Sequence, residues 1–252
     1  MSAPARSLLE EVRQTLFPRR GAKFGLLPPL LVGMTVITGL VDAFSYLVLG
    51  HVFVANMTGN VIFLGFAVVG VRGFAVATQA LALGAFVVGA LGGGLFHWRL
   101  GAHAGRHLAV ATGIQLLLMV AATVLCAWVA GSVGGAARYW LVALLAVALG
   151  IQNATARGLA VPDLTTTVLT MTITGIAADA PPVGGGGMRA GRRLISVGAM
   201  LAGAAVGAAL IVRSQLTAPL LVAVVLMAVI VAATPLVPLW TRDRGQAAAG
   251  VP

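Results

Sequence analysis

Gly39-Leu40-Val41-Asp42-Ala43-Phe44-Ser45-Tyr46 is followed closely by Phe53-Val54-Ala55-Asn56-Met57-Thr58-Gly59-Asn60. Here a carboxylate and a group of amides and hydroxyls interrupt stretches that are otherwise apolar. A membrane helix needs roughly 20 predominantly apolar residues, and working outward such stretches recur at 27–49, 52–71, 75–97, 108–131, 139–158, 162–180, 194–213 and 216–240. The second and sixth are the least regular, because Asn56, Thr58 and Asn60 interrupt one and a threonine run fills the other. The expected fold is an all-α polytopic transmembrane bundle of eight spans, reduced to six or seven if those two segments are re-entrant or broken.

Composition points the same way. Of 252 residues, 60% are hydrophobic and 9% charged, whereas a soluble domain has about 45–50% apolar and about 25% charged residues. Mean hydropathy is +1.03, which leaves too little polar material to cover a soluble globule and excludes disorder. A disulfide-stapled fold is excluded because Cys126 is the single cysteine. The formal charge of +10 would suggest nucleic acid on a soluble protein. Here the basic residues lie between apolar runs, so anionic headgroups are the expected partner and nucleic acid is not.

Charge also orients the chain. With eight spans and the N-terminus inside, Arg99, Arg106, Arg157 and Arg213 fall outside, and the other 12 of the 16 basic residues fall inside. Both termini are therefore expected in the cytoplasm. Residues 1–24 form a cytoplasmic segment in which Leu8, Val12 and Leu16 recur every four residues, the spacing of a short interfacial amphipathic helix. Ser7 and Glu10 read as a capping box at a helix start. Residues 25–240 form the transmembrane domain, and 241–252 a cytoplasmic tail.

Two stretches half a chain apart resemble each other. Gly39 to Ala43 aligns with Gly150-Ile151-Gln152-Asn153-Ala154 at an offset of 111, so Asp42 is matched by the neutral Asn153. Ala85, Gly89 and Gly93 recur as Ala199, Gly203 and Gly207 at an offset of 114. Small residues at every fourth position let another backbone approach closely, which identifies these six as helix-packing residues within the monomer, or in a homodimer. The expected repeats are 27–131 and 139–240, four spans each. Four-span units enter the membrane in the same direction, giving a pseudo-two-fold axis along its normal, whereas three-span units would be inverted. The charge count favours the parallel form.

Polar residues inside apolar spans mark candidate sites. An ionised carboxylate at bilayer depth costs about 2.5–3.5 kcal/mol on insertion scales. Thr35, Thr38 and Ser45 share a helix face with Asp42. That stripe suits a cation or proton carrier, or else a structural acid bonded to a neighbouring helix. Asn56, Thr58 and Asn60 around Gly59 suit a locally unwound helix facing a cavity. Their counterparts are Gln152, Asn153 and the threonine run that includes Thr166. Gln79 and Gln115 read as helix clamps. His97, His103 and His107 read as an exposed loop cluster, lacking the further ligand a metal needs. No metal site, cofactor or catalytic constellation is visible, so no enzyme activity is expected. Trp98, Trp140 and Trp240 fall at span ends, as interfacial anchors do.

The two stretches quoted first resemble the YoaK family of bacterial membrane proteins, a family of unknown function. Gly150 to Ala154 and Asp163-Leu164-Thr165-Thr166-Thr167 resemble its second signature, and the similarity runs from about Pro29 to Trp240. The resemblance implies an integral inner-membrane protein and supplies no substrate or catalytic residues. The reading favoured overall is a small secondary transporter or permease. Its partners are the lipid bilayer, an unidentified small molecule bound by Asp42, Asn56, Thr58, Asn60, Gln152, Asn153 and Thr166, and a coupling proton on Asp42. The alternative is a membrane scaffold or sensor that binds partners or anionic lipids.

Overall fold

A computed structural model describes residues 3–100, 104–129, 133–162, 164, 169–178 and 190–240. Helix α1 (Ala3–Leu16) precedes the bundle. The bundle helices are α2 (Leu27–Val48), α3 (Met57–Val68), α4 (Val76–Leu100), α5 (Ala104–Trp128), α6 (Gly135–Leu159), α7 (Leu169–Ala178), α8 (Ala190–Val212) and α9 (Ala218–Ala233). A 3-10 turn (Thr234–Leu236) and the short α10 (Val237–Trp240) prolong α9 to the end of the apolar stretch. Among the described residues, six helices are long and apolar enough to cross a membrane. The two exceptions, α3 with 12 residues and α7 with 10, fall in the two segments whose polar interruptions set them apart. Eight apolar segments thus give six spans, and in the first of the two the loss has a physical cause: the buried Asp42 and Asn60 side chains bond the non-helical backbone of residues 53–55.

Helix direction follows from the tightest contacts. The two most extensive pairings are α2 with α8 and α4 with α6. On α8, Gly203 lies against the Val36 carbonyl and the Leu40 nitrogen, and Gly207 against Leu40 and Ala43. Rising numbers on one helix accompany rising numbers on the other, so α2 and α8 run parallel. By the same test α4 and α6 are parallel, because Gly89 meets Val147 while Gly93 meets Ile151 and Ala154. A Cβ on Gly89 or Gly203 would run into the facing Val147 or Val36 carbonyl. These glycines let backbone touch backbone where no hydrophobic driving force acts between helices.

The link after α2 returns to the end at which α4 begins, since the Gln79 side chain donates to the His51 carbonyl at 3.1 Å. Hence α2 and α4 run in opposite senses, and so do α2 and α6. The first helices of the two halves therefore run in opposite directions, and the parallel arrangement of halves favoured by the charge count does not hold. The reason is local: each short helix leaves and re-enters on one side of the bundle without crossing it, so each half contributes three spans.

This changes which charges share an end. Gly21 donates to the Trp240 carbonyl at 3.2 Å, and Gly105 packs on Pro238. Together these contacts gather α1, the α4–α5 junction and the end of α9 at one end of the bundle. Gly158 packs on His97, which brings the end of α6 there as well. Arg99, Arg106 and Arg157 therefore belong to the end that holds α1, while Arg72 and Arg138 belong to the opposite end with Arg213. Ser7 does not open a helix, because α1 already runs from Ala3. Glu10 instead bonds Arg13 and Gln14 on the exposed face. His97 is exposed, but His107, whose ring lies 5.2 Å from that of His97, is buried rather than exposed as expected. His103 lies outside the described residues.

Candidate functional site

Non-helical backbone at membrane depth must find partners for its N–H and C=O groups. Residues 52–56 are such a stretch, with Val52, Val54 and Ala55 buried. Asp42, in the last third of α2, answers part of this need. Its Oδ1 accepts the N–H of Val54 at 3.0 Å and of Ala55 at 2.9 Å. Asn60, one turn into α3, clamps Phe53 from both sides: its Oδ1 accepts the Phe53 N–H at 2.9 Å and its Nδ2 donates to the Phe53 carbonyl at 2.6 Å. Asn56 caps α3 by accepting the Gly59 N–H at 3.3 Å. A ring cluster seals this hairpin, with Tyr46 stacked on Phe53 at 5.0 Å and Phe63 against Phe74 at 5.0 Å. Tyr46 on α2 and Phe53, Phe63 and Phe74 on three later segments share no helix spacing that would pair them in sequence.

The hydroxyl stripe along α2 does not surround the carboxylate. Thr35 and Thr38 donate to carbonyls four residues earlier on their own helix, and Ser45 donates to the Asp42 carbonyl. Thr38 also accepts from Gln152 Nε2 at 2.7 Å, and Gln152 accepts from Gln115 at 2.6 Å. Gln152 Nε2 donates to the Met34 carbonyl as well. Gln152 is thus fully buried in a clamp joining α2, α5 and α6. Asn153 donates to the Leu149 carbonyl at 2.9 Å. Thr166 lies outside the described residues.

What the structure brings together is a narrower set. An open cleft of about 650 Å³ is lined by Ala55, Asn56, Met57, Thr58, Gly59 and Ile62 from the start of α3, and by Thr170 and Met171 from the start of α7. Phe86 of α4 and Met200 of α8 complete it. These two are related by the same offset of 114 residues as Gly89 and Gly203, and each lies near the middle of its helix. The cleft is therefore at mid-height, where the halves meet. A second cleft of about 320 Å³, lined by Asp42, Tyr46, Phe53 and Asn56 among others, shares Asn56 and Met200 with the first. Asp42, Asn56 and Thr58 border this space, whereas Asn60 and Gln152 do not. Phe86 and Met200 escape composition-based reading because they are apolar; only the offset could have picked them out.

The starts of two half-length helices face one cleft, so their positive dipole ends favour polar or anionic groups there. Among the described residues, no group of three or more His, Cys, Asp or Glu side chains could hold a metal.

Six long apolar helices and two short ones opening on an internal cleft define a multi-pass integral membrane protein. Residues 30–233 match the family model described as "Protein of unknown function (DUF1275)", and the chain belongs to that family. It is similar to the UPF0700 transmembrane protein YoaK of Bacillus subtilis (strain 168), with 30% identity over 152 residues. That match covers 60% of this chain and 65% of the relative's length. No solved structure matches.

Proposed function

We propose that the chain is a small transporter or permease built as an inverted repeat, with its substrate site in the mid-height cleft. The observation that carries this reading is the meeting of the α3 and α7 starts at one cleft, reached from opposite ends of the bundle. Discontinuous helices whose ends line a midplane cavity, set between oppositely directed halves, are the recurring way transporters expose one site to two sides. The repeat reading gains support from lengths as well as glycines. Long, short, long, long describes both α2–α5 and α6 to the end of α9.

Orientation follows from charge. Among described residues outside α1, Arg72, Arg138 and Arg213 stand at one end, while Arg19, Arg20, Lys23, Arg99, Arg106, Arg157, Arg192 and Arg193 stand at the other. The positive-inside rule puts that richer end, and both termini, in the cytoplasm of the inner membrane. Asp42 borders the smaller cleft while holding two backbone amides, so a proton arriving on it would loosen the segment that shapes the site. That coupling is the proposed role of the carboxylate.

The test has two stages. Purified protein is screened by thermal shift against small polar metabolites, and compounds that stabilise it are assayed for counterflow in proteoliposomes. Thr58→Leu, which fills the cleft, is expected to remove both the shift and the flux. Stabilising compounds that cross no faster than in empty liposomes would overturn transport and leave a membrane sensor.

A further inference from the structure

The strongest feature outside the central cleft lies at the end of the bundle that carries α1. Residues 18–25, which link α1 to α2, fold over a pocket of about 510 Å³ closed by Gln14, Pro28 and Arg192. Four cations line it: Arg19, Arg20 and Lys23 from the link, and Arg192 from the first turn of α8. No acidic side chain is among the lining residues. Of the α1 carboxylates, Glu10 bonds Arg13 and Gln14 and lies within electrostatic reach of Arg19, and Glu11 accepts the Gly191 N–H at 2.9 Å.

Two details show that these cations are held in place. Arg192 lies over the Phe24 ring at 5.9 Å, and Lys23 Nζ is 5.5 Å from the same ring. Arg20 lies over Trp240 at 5.3 Å, where the Gly21 N–H also binds the Trp240 carbonyl. The link is therefore tied to the end of α9. The Arg192 Nε is buried and has no hydrogen-bond partner, although buried donors are nearly always paired. Four cations around a pocket with no acidic lining residue, one of them with an unused enclosed donor, suit an anion that accepts several hydrogen bonds at once. A phosphate group does this, and guanidinium groups match its geometry.

We infer that this pocket binds a phosphate group, through Arg19, Arg20, Lys23 and Arg192, where the bundle meets the headgroup layer. The site is independent of the central cleft. Two sources offer the same chemistry: the headgroup of an anionic phospholipid, or a free phosphate or soluble phosphoester.

Delipidated protein in detergent is titrated with dioleoyl phosphatidylglycerol and followed by native mass spectrometry, with and without inorganic phosphate. Arg192→Gln is expected to weaken lipid retention at least about tenfold, the scale of one lost charge-assisted contact. Lys23→Gln, in the link outside the bundle, guards against a folding defect and is expected to act in the same direction. Arg138→Gln at the opposite end should leave retention unchanged. Retention that is lost in the variants and indifferent to inorganic phosphate identifies the lipid. Inorganic phosphate that displaces the lipid, or that stabilises the wild type but not Arg192→Gln, identifies a soluble ligand. Equal retention by wild type, Arg192→Gln and Lys23→Gln, with no stabilisation by inorganic phosphate, would overturn the site.

Discussion

The α2–α8 and α4–α6 crossings use one device twice, whereas the positions three residues beyond their shared glycines do not match. Gly39 and Gly150 each sit against the backbone of the facing helix. Three residues on, the ionisable Asp42 takes two amides of a neighbouring segment, whereas its counterpart is the neutral Asn153. Packing has been kept equal in the two halves, and the charge beside it has not. A contact between backbones tolerates no side chain, so it cannot drift. A polar side chain beside a cleft can change its partner and so its task.

The largest expected effect comes from breaking what the halves share. Gly89→Leu and Gly203→Leu should abolish accumulation of folded protein. The Ala variants should each lose about 1–3 kcal/mol through overpacking, read as a fall in the melting midpoint in detergent. Gly92→Ala, whose Cβ would meet nothing within 4 Å, should leave the midpoint unchanged or raise it. Equal damage at Gly92 and Gly89 would mean that close approach is not what these glycines supply.

The next effect sharpens the difference between halves. Asp42→Ala strands two buried amides at about 1–3 kcal/mol each, whereas Asp42→Asn keeps an acceptor for them and removes only the charge. Melting midpoints should therefore fall much further for the Ala variant, while both variants lose coupling to a proton gradient. Identical midpoints for Ala and Asn would show that the carboxylate does not hold residues 54 and 55.

Smaller still is Gln152→Leu, which breaks the clamp from α6 to Thr38, Met34 and Gln115. Interhelical hydrogen bonds in membranes are worth about 0.6 kcal/mol on average and at most about 1.7. A modest drop in midpoint with ligand binding intact is expected. Loss of ligand binding at an unchanged midpoint would move Gln152 back into the site.

These comparisons show where sequence reading succeeds. Hydropathy marks every span and the two weak segments, because each span must be apolar along its whole length. The glycine spacing is legible because a four-residue period has few other causes in a membrane helix. The site is less legible. Asn60 and Gln152 carry the side-chain chemistry of ligand binders, yet both are consumed by backbone or by another amide, and that depends on where the chain turns back. Orientation of the halves failed for the same reason: counting residues 52–71 and 162–180 as crossings moved Arg72, Arg99, Arg106, Arg138 and Arg157 to the wrong ends.

That rearrangement is also the most direct test. Single cysteines are introduced at positions 72, 138, 99 and 106, in a chain whose native Cys126 is buried, and intact cells are treated with a membrane-impermeant maleimide. Six spans in opposed halves predict labelling at 72 and 138 in intact cells, and at 99 and 106 only after permeabilisation. The reverse pattern, with a cysteine at position 20 still protected in intact cells, would restore eight crossings with parallel halves and remove the central cleft as a site shared between two sides.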